Sequence, residues 1–157
     1  MLLTGTFPRA LDEKLRVAIP KRLREAIGCH QGGAVFVAPG TDGSLALYTE
    51  EAFERLGLRL AQASPTQQSV RAYTRLFYAR AQRVELDQQG RIRIPAELAA
   101  LAGLAKEAVL LGVQDHLELW AAERWQKYLA ERQTHYDELA EAALGGPAPI
   151  QSPNRSP

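Results

Sequence analysis

Cysteine is almost missing from this chain. Of 157 residues only Cys29 carries a thiol, which excludes an internal disulfide and leads us to expect a reducing compartment, the cytoplasm. Uncharged runs are missing too: no 18-residue stretch is free of charge, so no membrane-spanning helix is expected. The opening residues, MLLTGTFPRALDEK, lack the basic start and long apolar run of a secretory signal. Neither sign of charge dominates, with 19 Lys+Arg against 18 Asp+Glu and a net charge of +1. His30, His116 and His135 are scattered, and with one cysteine they make no metal tetrad. No phosphate-binding glycine pattern occurs. Cys29 and His30 are neighbours, but adjacent side chains diverge, so they make no nucleophile–base pair. The chain is therefore expected to be no enzyme, with no catalytic residue, metal or cofactor. What remains is 46% apolar and 24% charged, the profile of a folded globular protein.

The near-neutral total hides an uneven distribution. Residues 1–36 carry six basic and three acidic side chains (+3), residues 37–69 two and four (−2), residues 70–95 six and two (+4), and residues 96–157 five and nine (−4). Of the 19 basic residues 15 are arginine, whose planar fork suits phosphate and guanine better than the lysine point charge.

The two basic segments contain a repeat. Residues 11–28, LDEKLRVAIPKRLREAIG, and residues 86–103, LDQQGRIRIPAELAALAG, are identical at seven of 18 positions with an offset of 75. Downstream, Leu45-Ala-Leu47-Tyr48 with Phe53 is echoed by Leu117-Glu-Leu119-Trp120 with Trp125. The expected organisation is a first repeat at 1–62, a connecting helical segment at 63–80, a second repeat with a C-terminal helix at 81–144, and a Pro-rich disordered tail at 145–157. Within each repeat the pattern predicts a strand ending at a proline, a short helix from that proline to a glycine (about 20–27 and 96–102), two further strands (about 34–38 and 45–48; 107–113 and 117–120) and a closing helix (about 50–62; about 122–142). A helix over 66–80 places Val70, Tyr73, Leu76 and Phe77 on one face and Arg71 and Arg75 on another, and a strand follows at 81–86. Along the last helix Trp125, Tyr128, Leu129, Tyr136 and Leu139 keep helical spacing, which reads as packing.

The candidate site is a pair of like-designed turns. Asp87 and Gly90 occupy the first and fourth positions of a type I turn, and the Asp side chain accepts backbone N–H groups inside it. Strand periodicity then sends Ile92 and Ile94 inward and Arg91 and Arg93 outward. In the first copy Val17 and Ile19 point in, Arg16 and Ala18 point out, and Asp12 and Lys14 stand in the turn. A carboxylate beside an arginine orients the guanidinium for two hydrogen bonds to guanine, or for a phosphate. The same pairs also serve simply to stabilise the turns.

Leu11-Asp12-x-Lys14-x-Arg16-x-x-x-Pro20 and Leu86-Asp87-x-x-Gly90-Arg91-x-x-x-Pro95 closely resemble the twin Asp-x-x-x-Arg motifs of the MraZ family of bacterial transcriptional regulators. Gly5, Arg71-Ala-Tyr-Thr-Arg75-Leu-Phe77 and Leu117-Glu-Leu119-Trp120 also look like family segments, and the likeness covers about residues 1–140. The resemblance implies an α+β fold: two pseudo-symmetric AbrB-like swapped-hairpin β-barrel units with flanking helices in one chain. It implies a ring of identical subunits, often an octamer, that binds direct repeats in double-stranded DNA upstream of the division and cell-wall gene cluster, commonly as a repressor, in the cytoplasm on the nucleoid. By position Lys14, Arg16, Arg91 and Arg93 would contact DNA, with Asp12, Asp87 and Gly90 supporting the turns. The family usually has glycine where this chain has Leu15. Another reading of the same residues is a ring-forming assembly or adaptor protein whose arginines make subunit or protein contacts.

Overall fold

The computed structural model describes residues 1–29 and 32–145. Its elements in chain order are β1 (Thr6–Ala10), β2 (Arg16–Ala18), α1 (Lys21–Ala26), β3 (Ala34–Pro39), β4 (Leu45–Tyr48), α2 (Glu50–Gln62), α3 (Gln68–Arg80), β5 (Gln82–Glu85), β6 (Arg91–Arg93), α4 (Ala96–Leu101), β7 (Glu107–Val113), β8 (His116–Ala121), α5 (Ala122–Arg132) and α6 (Tyr136–Leu144). Prolines 20 and 95 stand at the N-caps of α1 and α4, where a missing N–H costs nothing.

Six strands form one antiparallel sheet in the order β1-β7-β8-β4-β3-β5, and β2 and β6 form a separate two-stranded ribbon. The order reads the same when the repeats are exchanged. β1 of the first repeat pairs with β7 of the second, and β5 of the second pairs with β3 of the first. At the centre β4 meets β8 about the pair Ala46↔Glu118, and in the ribbon β2 meets β6 about Val17↔Ile92. Each repeat thus lends its first strand to the other.

The sheet corrects the expectation of two β-barrels. It is open, with β1 and β5 at its edges, each paired on one side only. Closure of a single repeat would require its own strands to adjoin one another. Here β1 and β5 go to the opposite repeat and β2 and β6 to the ribbon. β1 itself lies outside the strands expected from the sequence, because Pro8 interrupts it; an edge strand tolerates a residue without an N–H.

One sheet face packs on the ribbon and its helices. Val35, Val37, Leu45, Leu47, Leu110, Leu117 and Leu119 join Val17, Ile19, Leu23, Ile92, Ile94 and Leu98 in a single buried cluster. The other face carries aromatics: Phe36 stacks on Phe53 at 4.4 Å, Tyr48 and Phe53 lie 6.0 Å apart, and Trp120 meets Trp125 edge-on at 5.4 Å. On α3 Phe77 is buried, while Tyr73 and Leu76 of the same stripe are exposed.

The chain divides into a compact unit Met1–Trp125 and a second beginning at Gln126. The second continues α5, passes through a 3-10 turn at Gln133–His135 and ends in α6. One uninterrupted helix over 122–142 was the expectation. Thr134 and His135 are poor helix formers, and Asp137 and Glu138 in the first turn of α6 suit a fresh N-terminus. Of the tail expected to be disordered, 145–157, Gly145 caps α6; 146–157, like His30, lie outside the described residues. Among the described residues no helix is long and apolar enough to cross a membrane.

Candidate nucleic-acid interface

The two turns are built bond for bond alike. Asp12 Oδ1 accepts the backbone N–H groups of Lys14 and Arg16, both at 2.9 Å, and Oδ2 accepts Arg16 Nε at 2.6 Å. Asp87 Oδ1 accepts those of Gln89 and Arg91, both at 2.9 Å, and Oδ2 accepts Arg91 Nε at 2.9 Å. Leu15 N donates to Asp12 O, and Gly90 N to Asp87 O. Both turns need a left-handed residue before the arginine, with φ of 61° at Leu15 and 73° at Gly90.

Hydrogen bonds across the repeats hold the turns against one another. Ile19 N donates to Gly90 O and Ile94 N to Leu15 O, extending the ribbon at both ends. Arg91 Nη1 also approaches Asp12 Oδ2 at 3.9 Å, so the two Asp–Arg pairs form one cluster. Beneath it Val17 and Ile92 are fully buried, while the Arg16 and Arg91 side chains retain 32% and 29% of their exposure. The arginines sit half-buried on a rigid floor.

The carboxylates stay charged. The Arg16 backbone N–H bonded to Asp12 lowers its pKa below the ordinary value; partial desolvation opposes this, and the Arg16 side chain and the Lys14 backbone add to it. Asp87 is lowered in the same way, first by the Arg91 backbone N–H. Each Nε–H is taken by its aspartate and Arg91 Nη1 also leans on Asp12 Oδ2, which leaves each guanidinium further N–H donors for another acceptor.

Comparison with known proteins agrees with this duplication. The family model described as "MraZ protein, putative antitoxin-like" matches twice, over residues 2–76 and 77–145. The chain belongs to the MraZ family. Relatives called "Transcriptional regulator MraZ" include one from Saccharopolyspora erythraea, 41% identical over 142 residues, covering 90% of this chain and 96% of the relative. The protein of that name from Lactiplantibacillus plantarum is 40% identical over 137 residues (87% and 94%). That from Symbiobacterium thermophilum is 40% identical over 138 residues (87% and 96%). These are transcriptional regulators, a non-enzymatic class.

Within the MraZ ribbon, the structure brings Asp12, Lys14, Arg16, Asp87, Arg91 and Arg93 to one surface, while Gly90 is buried within the second turn. Arg93 stands across the ladder from Arg16, and Arg91 across from Ala18. Two residues missed by sequence reasoning join them. Lys106 lines a cleft of about 640 Å³ with Asp12, Lys14, Leu15 and Arg16, and its carbonyl accepts Leu11 N at 2.8 Å. Gln89 is the exposed counterpart of Lys14 in the second turn. The repeat offset alone could have flagged Gln89; nothing local marks Lys106, which strand exchange brings in from the other repeat. Among the described residues no cluster of three or more metal-ligating side chains occurs.

Proposed function

We propose that this MraZ-family transcriptional regulator binds double-stranded DNA in the cytoplasm, on the nucleoid, by laying the β2–β6 ribbon into the major groove at promoter direct repeats. In this reading it represses the division and cell-wall gene cluster as a ring of identical subunits such as an octamer. The observation that carries the reading is the pair of arginines fixed at Nε by Asp12 and Asp87. A guanidinium held in this way loses little freedom on docking. Its remaining N–H donors match guanine O6 and N7, or a phosphate. The major groove is wide enough for a two-stranded ribbon.

The size of the ribbon supports assembly. Arg16 and Ala18, at its two ends, are two residues apart, about 7 Å, or about two base steps along one strand. So few contacts per protomer yield useful affinity only when several copies are linked. Exposed Leu58 on α2 and Tyr73 and Leu76 on α3 offer apolar surface for contact between copies.

The test is anisotropy of a labelled duplex carrying the repeats upstream of the gene, with native mass measured alongside. Arg91→Ala is expected to weaken binding about tenfold or more with assembly mass unchanged. Undiminished binding would refute the DNA reading of Arg91. Collapse of the assembly would favour the alternative, in which the arginines join subunits or protein partners.

A further inference from the structure

The fold relates the two turns by an approximate two-fold axis, yet the side chains at the ends of the ribbon differ in kind. At one end Arg16 faces Arg93 across the ladder. Lys14 stands in the turn beside them, Lys106 closes the cleft, and Leu15 and Arg93 line a common wall. Lys14, Arg93 and Lys106 are exposed. Four cations gather there against Asp12, Glu13 and Glu85. At the other end Arg91 faces Ala18, and the exposed tip of the turn is Gln88-Gln89. At that end, among the described residues, Arg24 lies under Gly90 with its Nε bonded to Ile19 O at 3.0 Å, and Lys21 opens α1, exposed, just past Pro20. The position matching Lys106 in the strand exchange is Gly33, whose carbonyl accepts Leu86 N. One end is thus rich in exposed, unspecific charge. The turn tip at the other, among the described residues, presents the amides of Gln88 and Gln89 beside one oriented guanidinium.

We infer that the two ends divide the work of DNA binding: Lys14, Arg93 and Lys106 grip phosphates, while Gln89 beside Arg91 reads base edges and makes Gln89 a specificity-determining residue. This rests on the DNA-binding reading above and goes beyond it. Lysine meets phosphate as a point charge and carries little sequence information. Glutamine has the paired donor and acceptor that match adenine N7 and N6 in the major groove, and arginine matches guanine. Without a formal charge the amide adds no counterion-release gain at a phosphate, whereas at a base edge both its donor and its acceptor are used. One protomer therefore recognises a short, non-palindromic step in spite of its two-fold scaffold.

The experiment selects duplexes from a random pool with the full chain and with Lys106→Ala, Arg93→Ala, Gln89→Ala and Arg91→Ala, and then titrates salt on the enriched duplex. The wild type is expected to enrich a non-palindromic motif. Lys106→Ala and Arg93→Ala keep that motif while each flattens the slope of log K against log salt by about 0.9. Gln89→Ala keeps the slope but loses about tenfold discrimination at one base position. The division of work is overturned if Gln89→Ala leaves the motif intact, if Lys106→Ala rewrites it, or if the wild-type motif is palindromic. Enrichment of no motif by the wild type removes the DNA-binding reading itself and this inference with it. Arg91→Ala separates the cases: lost binding with a normal wild-type motif leaves the reading standing whatever Gln89 does.

Discussion

Leu15 and Gly90 answer the same backbone demand in different ways. Both are left-handed, with φ of 61° and 73°, and a non-glycine residue pays about 1–2 kcal/mol for that conformation. The neighbours decide which residue each turn accepts. A Cβ on Gly90 would stand 2.6 Å from Arg24 Cζ. The offset of 75 matches Arg24 to Ala99, a small buried residue of α4, and Leu15 packs on the core cluster that contains it. Gly90→Ala is therefore expected to lower stability by about 1–2 kcal/mol. Leu15→Gly relieves strain and forfeits partial burial, so its net effect stays within about 1 kcal/mol. Thermal melts of the two variants check this, and equal losses would contradict it. The aspartates give a second expectation. Their native pKa values lie below the ordinary 3.8, so their stabilisation is present above that pH and is lost as pH falls through the depressed values. The stability gap between the wild type and Asp12→Asn should hold at neutral pH and close in acid below pH 3.8, as read from urea midpoints at each pH.

Among the elements, the β7–β8 hairpin carries a titratable group that the sequence reading set aside. His116 Nδ1 lies 2.7 Å from Asp115 Oδ1 and its Nε2 3.4 Å from Glu118 Oε2, while its ring stacks on Tyr48 at 5.2 Å. The Glu118 hydrogen bond raises the His116 pKa above 6.5, desolvation opposes it, and Asp115 adds to it. Burial alone would raise Glu118, but the hydrogen bonds from His116 and from Trp120 outweigh it and leave that carboxyl lowered. Burial, chiefly, pushes the facing Tyr48 up to about 12. Protonated His116 therefore stabilises the hairpin fully below pH 6.5, and this is lost as pH rises through the raised value. The melting temperature should fall over that range in the wild type and not in His116→Gln, with the emission of Trp120, bonded to Glu118 at 3.1 Å, following the same titration. Much of the element pattern was legible because it is local. Val17, Ile19, Ile92 and Ile94 alternate in and out as strands dictate, and the prolines before α1 and α4 mark their starts. β1 was hidden by Pro8, and the helix break at 133–135 by a stripe of apolar residues that runs across it. Both depend on what lies next to the element rather than within it.

For the molecule as a whole, the repeat was readable and its consequence was not. An offset of 75 announces two copies, but only the pairing of β1 with β7 and of β5 with β3 shows that neither copy holds its own first strand. This exchange is also why Lys106 could not be placed at the first turn from sequence. A chain of residues 1–80 lacks the partners of β1 and β2 and one of the two of β4, and one of residues 81–145 lacks those of β5 and β6 and one of the two of β8. Each expressed alone is expected to show the circular dichroism and poor amide dispersion of an unfolded chain, and mixing them to restore the native spectrum. A cooperative melt from either half by itself would contradict the exchange. Joining both turns in one polypeptide has a further effect. In a dimer of identical chains, any mutation at a turn appears twice and alters both ends of the ribbon together. Here Lys14 and Gln89 are encoded separately, so on the proposed DNA-binding reading one arm is free to acquire a new preference while the other keeps hold, and a changed operator can be met one codon at a time.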